Sequence, residues 1–293
     1  MTETGREQRR LSLMREAINQ FEGYQRTGEQ SLLARAVPLL RAARAAAMEG
    51  GAPGLAAYHN NLAYALHEVA AATGDPAVQA VQAEAVDCHR AAVAAAGPAD
   101  FDRPGYLLTL ASGLCALYGF TRDAGLLREA VTAAEAAAGR GVEPSLAVQY
   151  AIAGDALGQL YRHDPERQRD PALLARVIGA CREAASYADI LEDPAVAAKR
   201  WGTLGSWLVE RYERAGDAAA LTEAIAAYRK ALDGTAGDAR LPVLANLANV
   251  LRLHFERTGD LDALGEAIAK GRAAVDGTWP GDPDLPRRAS NLA

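Results

Sequence analysis

The chain has 293 residues, 50% of them apolar but with only 4 Phe and 3 Trp, so its core must be built mainly from Ala, Leu and Val. A net charge of −6, with Arg scattered along the chain, provides no clustered cationic face for nucleic acid or an anionic membrane. Cys88, Cys115 and Cys181 are odd in number, far apart and set in Ala-rich stretches, which excludes a disulfide framework or a Cys-x-x-Cys metal site and suggests small buried residues in a reducing, cytoplasmic compartment.

Residues 1–50 begin with a polar segment, Met1 to Arg10, that lacks the apolar core of a signal peptide; no uncharged run in the chain approaches the length of a membrane span. The first repeat carries Tyr24, the turn Thr27-Gly28-Glu29 and the pair Ala36-Val37. Residues 51–97 restate this pattern with Leu62-Ala63, Ala70 in the aromatic position, Thr73-Gly74-Asp75 and Ala85-Val86. Residues 98–141 contain Leu110-Ala111, Tyr118, Thr121-Arg122-Asp123 and Ala130-Val131. Residues 142–192 contain Ala153-Gly154, a Tyr161 displaced by the insertion His163 to Arg169, Gln168-Arg169-Asp170 and Val177-Ile178.

Residues 193–236 return to Leu204-Gly205, Tyr212, Ala215-Gly216-Asp217 and Ala224-Ile225, and residues 237–281 to Leu247-Ala248, Phe255, Thr258-Gly259-Asp260 and Ala267-Ile268. In residues 282–293, Ser290-Asn291-Leu292-Ala293 restates Ala245-Asn246-Leu247-Ala248, so a further repeat or a covering subunit is expected there. The turn acids recur at spacings of 46, 48, 47, 47 and 43. Gly suits the left-handed residue that ends one helix, and an acid suits the free amides that open the next. The small member of each upstream pair lets two helices approach closely.

These columns resemble the tetratricopeptide family, with a large then a small residue in helix A, an aromatic near its end and Ala-rich packing positions in helix B. The period exceeds that family's 34 residues, and the likeness is strongest to long bacterial repeats found beside effector domains such as caspase-like peptidases. The resemblance implies an all-α, right-handed solenoid of about six helix-turn-helix repeats, forming a single domain over residues 1–293. It also implies a groove lined by the A helices. One groove column falls on Arg15, Asn61, Thr109, Ile152, Thr203 and Asn246, and a second on Ile18, Tyr64, Ser112, Asp155, Ser206 and Asn249. The binding set so implied is Asn61, Tyr64, Thr109, Ser112, Asp155, Thr203, Ser206, Asn246, Asn249 and Arg252. An Asn side chain can donate to a peptide carbonyl and accept from a peptide N–H, which suits backbone capture; the alternative is that Asn61 and Asn246 bond within the fold.

Arg15, Lys199, Arg200 and Arg252 are too dispersed to form a clamp for a terminal carboxylate, so an internal segment or a partner helix is expected. Trp201 and Trp207 serve either as an aromatic anchor or as core filling. No nucleophile with its base, no metal set and no phosphate loop is present: His67-Glu68 lacks a second His at zincin spacing, and Gly50-Gly51-Ala52-Pro53-Gly54 lacks the Lys-Ser/Thr of a P-loop. His59, His67, His89, His163 and His254 read as single surface or groove residues. The expectation is a non-enzymatic scaffold without a cofactor, whose partner is a protein, a peptide or a downstream part of its own chain. The alternatives are an oligomerising or autoregulatory array for an attached effector, a small-ligand sensor closed by the Tyr161 to Pro171 insertion, and an enzyme with a divergent site in the groove.

Overall fold

The computed structural model describes residues 3–72, 78–137, 143–167, 170–190 and 193–292; the turn Thr73-Gly74-Asp75 and the pair Gln168-Arg169 lie outside them. The described residues form α-helices joined by turns, with one 3-10 turn at Gly237–Ala239 and no strand. The chain divides into two compact units: residues 1–141 with 162–168, and residues 142–161 with 169–293.

The first unit contains the hairpins α1 (Glu3–Thr27) with α2 (Gln30–Glu49), α3 (Leu55–Ala72) with α4 (Val78–Ala95), and α5 (Arg103–Thr121) with α6 (Ala124–Ala137). Within this unit α1 to α6 pack in succession, each on its chain neighbour, and α3 also touches α5. Ala17, Leu33, Leu40, Leu62, Leu66, Ala85 and Cys88 form a continuous core, with Met14, Phe21 and Tyr24 packed against it. Leu and Ala at helical spacing thus bury one stripe of every helix, which stabilises hairpins whose propensity alone would not hold them.

The second unit contains α7 (Glu143–His163), whose last two residues belong to the first unit, followed by α8 (Pro171–Ile190), α9 (Pro194–Ala215), α10 (Ala218–Asp233), α11 (Arg240–Thr258), α12 (Leu261–Asp276) and α13 (Leu285–Leu292). Gly205 lies where a Cβ would come within 2.9 Å of the Tyr228 ring, and Gly154 where a Cβ would come 3.0 Å from Cys181 Sγ. The small residue of the pair therefore admits a side chain from helix B of the same hairpin. The B-helix pairs are buried except Ile268, which is 37% exposed.

The turn motif closes through local bonds. Gly28, Arg122, Gly216 and Gly259 have φ between 58° and 74°, and each amide donates to the carbonyl of the aromatic four residues earlier, at 2.7 to 2.9 Å. Thr27, Thr121 and Thr258 donate to the carbonyl four residues back, and each accepts the amide of the following acid. Asp217 and Asp260 then accept the amides two and three residues on, satisfying helix-start donors. Glu29 differs: its longer side chain receives the Ser31 hydroxyl and caps no amide.

Two expectations are corrected. His59 and His89 are buried, not surface or groove residues. His89 occupies space left by the missing side chain of Gly113, where a Cβ would lie 3.2 Å from its ring, and burial lowers its pKa to about 4. Burial also lowers that of His59. Cys88 and Cys181 are buried as expected, but Cys115 is only half-buried.

Candidate groove on the A helices

In the second unit, α9 touches α11, and together with the linker before α11 they enclose an open cavity of 630 Å³. Thr203, Ser206 and Asn246 line it, so three members of the expected binding set meet across adjacent repeats. Its remaining walls include Ala195, Ala198, Lys199 and Gly202 of α9, Tyr228 of α10, and Ala236, Ala239, Pro242 and Val243.

The sequence determines this geometry in three places. Gly234 ends α10 where a Cβ would come within 2.3 Å of the Pro194 carbonyl, so only Gly permits this approach of the two helices. Arg240 Nη1 donates to the carbonyls of Leu232 at 3.0 Å and Thr235 at 2.8 Å, which fixes the linker carrying Ala236 and Ala239. The Tyr228 hydroxyl lies 3.0 Å from Ser206 Oγ, and burial raises its pKa. In the first unit Arg103 acts alike on the end of α4, bonding the Val93 and Ala96 carbonyls.

The polar side chains differ in how far they are already used. Thr203 Oγ1 donates to the Lys199 carbonyl at 3.0 Å, and Ser206 Oγ lies 3.1 Å from the Gly202 carbonyl. Asn246 is half-buried in the cavity wall and its side chain has no hydrogen-bond partner among the described residues. Lys199 is exposed and in no ion pair with a described residue. One turn further along α11, Asn249 Oδ1 accepts from Arg252 at 3.0 Å, and Arg252 also pairs with Glu256. Asp155 on α7 is solvent-accessible, yet desolvation raises its pKa against the opposing pull of Arg200 and Lys199.

In the first unit, Asn61 donates to Met14 Sδ at 3.6 Å, so its amide is engaged across α1 and α3. Thr109 Oγ1 lies 3.0 Å from both Asn60 Oδ1 and the Tyr106 carbonyl. Ser112 is exposed, and Tyr64 stands edge-on to the His89 ring with 6.0 Å between centroids. Tyr64 is 43% exposed, yet burial of its hydroxyl raises its pKa.

Of the tryptophans, Trp207 is core, packed over Gly158 and edge-on to Tyr161 at 5.9 Å. Trp201 Nε1 donates to Asp189 at 2.7 Å, with the Lys230 ammonium 3.9 Å from its ring centroid. Sequence reasoning missed Tyr228, Gly234 and the linker as walls of the cavity. The available signal was Gly202 and Gly205, one helical turn apart on a single A helix. It also missed Asp164, fully buried after α7, which Arg128 grips through Nε at 2.8 Å and Nη2 at 3.0 Å. Among the described residues no group of three or more His, Cys, Asp or Glu is placed to hold a metal, and no helix is long and apolar enough to cross a membrane.

No family model matches the chain, and no curated protein does. Among solved structures, the chain is similar to the S. pombe nuclear import adaptor Nro1 in two crystal forms. The first has a TM-score of 0.52 at 12% identity, covering 100% of both chains; the second has 0.53 at 11%, covering 96% of each. At this identity the likeness is one of fold: an all-α protein of stacked helical repeats.

Proposed function

We propose that this chain is a tetratricopeptide-like protein-interaction module of a reducing, cytoplasmic compartment, whose A-helix face between α9 and α11 accepts an extended segment of a protein partner. The observation that carries the reading is Asn246: a half-buried amide in a cavity wall, with donor and acceptor both unused by described residues. Such a group suits an extended segment, in which the N–H and C=O of one residue lie on the same side and offer a donor and an acceptor together. Ser206 and Thr203 add hydroxyl oxygens that can accept from the same segment.

The test is fluorescence titration of peptides, selected from a displayed random library, against the full chain. Asn246→Ala is expected to weaken binding roughly 5- to 100-fold, as for a lost buried hydrogen-bond partner, with an unchanged melting temperature. Asn61→Ala, whose amide is already engaged by Met14, is expected to leave affinity unchanged. Failure to select any peptide, or affinity indifferent to Asn246, overturns the reading.

A second reading is favoured by one observation. A 570 Å³ cavity in the second unit is lined by Tyr161, Pro171, Leu174, Ala175, Arg211 and Arg214, and suits a small organic ligand. Small-molecule binding abolished by Ala175→Trp, with no peptide binding, would select this sensor reading.

A further inference from the structure

The cavity between α9 and α11 also carries information about which segment it takes. Its floor is made of small residues, Ala195, Ala198 and Gly202 on α9 with Ala236 and Ala239 on the linker, and Pro242 and Val243 add an apolar edge. The Tyr228 ring closes one side, and Gly234 brings α10 and α9 together at the back. The volume falls within the roughly 300–1,000 Å³ of sites that bury an organic group. Because Arg240 pins the linker to the end of α10, the walls are set before any ligand arrives, which lowers the ordering cost of binding.

Among the described residues, Lys199 is the one charged side chain that lines this cavity, and it forms no ion pair with any of them. Arg200 beside it carries the same sign and has no ion pair with a described residue either. Asp155 is the acid that both of them influence, which leaves these three side chains one positive charge in excess. A carboxylate arriving here meets this net positive charge, whereas a basic side chain is repelled.

We propose that this cavity is a specificity subsite for a bulky apolar side chain, aromatic or leucine-like, with a carboxylate on the residue two places away in the partner's extended sequence, where side chains share a face. The apolar group enters over Gly202 and Ala198, the carboxylate two residues away meets Lys199 Nζ, and the backbone N–H and C=O of the residue between them bond the Asn246 amide. The subsite rests on the peptide-binding reading above and adds a consensus to it: an acidic, apolar segment of a protein.

The test uses the full chain and peptides selected from the displayed random library, titrated as labelled synthetic peptides. Selected sequences are expected to share a bulky apolar residue two places from Asp or Glu. Gly202→Leu fills the cavity and is expected to weaken them roughly 10- to 100-fold, the worth of burying one large apolar side chain. Ala195→Leu, at an exposed position on the same wall, gives the same loss should Gly202→Leu fail to fold. Lys199→Glu is expected to weaken the acidic peptides and to tighten counterparts in which Asp or Glu is replaced by Lys. Peptides that need Asn246 but are indifferent to Gly202→Leu, Ala195→Leu and Lys199→Glu overturn the subsite and leave the broader reading standing. Absence of any peptide that depends on Asn246 overturns both.

Discussion

The Tyr228 ring occupies the place a side chain at Gly205 would need: a Cβ there would lie 2.9 Å from two of its ring atoms. Gly205→Ala therefore forces α9 and α10 apart in a core close-packed around Leu204 and Leu208. A loss of about 1–3 kcal/mol is expected, as for overpacking elsewhere. Chemical denaturation measures it, and pairing the change with Tyr228→Leu should recover part of the loss. Additive losses in the double variant would refute the contact.

Asp164 is held by the Arg128 guanidinium, and those hydrogen bonds set its pKa below the usual carboxylate value. A carboxyl depressed in the folded state adds stability that is present above its unfolded value of 3.8 and is lost as pH falls through the lower folded value. Asp164→Asn keeps the shape and loses the charge, so a destabilisation of about 1–3 kcal/mol is expected at neutral pH. The penalty should shrink in strongly acid solution. A penalty independent of pH would remove the charge from the explanation.

His89 has the same sign for a different reason, since burial there penalises the charged form. Burial, with a smaller push from His67, lowers its pKa from 6.5 to about 4. The unfolded chain then binds the extra proton over that interval and the folded chain does not, so stability falls as pH drops from 6.5 toward 4. Up to about 3 kcal/mol is at stake. Urea midpoints measured across this range should slope less steeply in His89→Gln; parallel slopes would contradict the assignment.

Arg122 adopts the left-handed conformation that Gly takes at the equivalent turns, with φ of 58°. An L side chain there costs roughly 1–2 kcal/mol, partly offset by the guanidinium 5.6 Å from the Tyr118 ring centroid. Arg122→Gly is expected to stabilise the chain by about 0.5–1 kcal/mol. A lower melting temperature in this variant would show that the stacking outweighs the backbone strain.

What could be read from the sequence was what depends on neighbours in the chain. The glycines and aspartates of the turns act through bonds between residues two to four apart, so their spacing alone disclosed the hairpins. Gly205 and Gly154 disclosed close helix approach because the demand falls on their own missing Cβ. Asn61 and Asn246 were indistinguishable by column, since what separates them is Met14, which lies 47 residues from Asn61. The burial of His89 was equally hidden, because it depends on a missing side chain at Gly113 in the following hairpin. The cavity itself is assembled from three helices and a linker, and no periodicity marks a linker as a wall.

On the B helices, Arg41 pairs with Glu84, Arg90 with Glu129, Arg182 with Glu223 and Arg229 with Glu266. Each pair is half-exposed and adds little to stability singly. Their arrangement is directional: α4 offers Glu84 backward and Arg90 forward, and α10 offers Glu223 backward and Arg229 forward. A hairpin copied in tandem by gene duplication therefore arrives with both halves of the junctions it needs, an acid for its predecessor and a base for its successor. Growth by whole repeats needs no compensating substitution on this face, whereas a hairpin inserted in reverse order would set like charges against each other. Within each unit these pairs act as a coupling with one permitted polarity, by which an array of this kind can lengthen without losing its register.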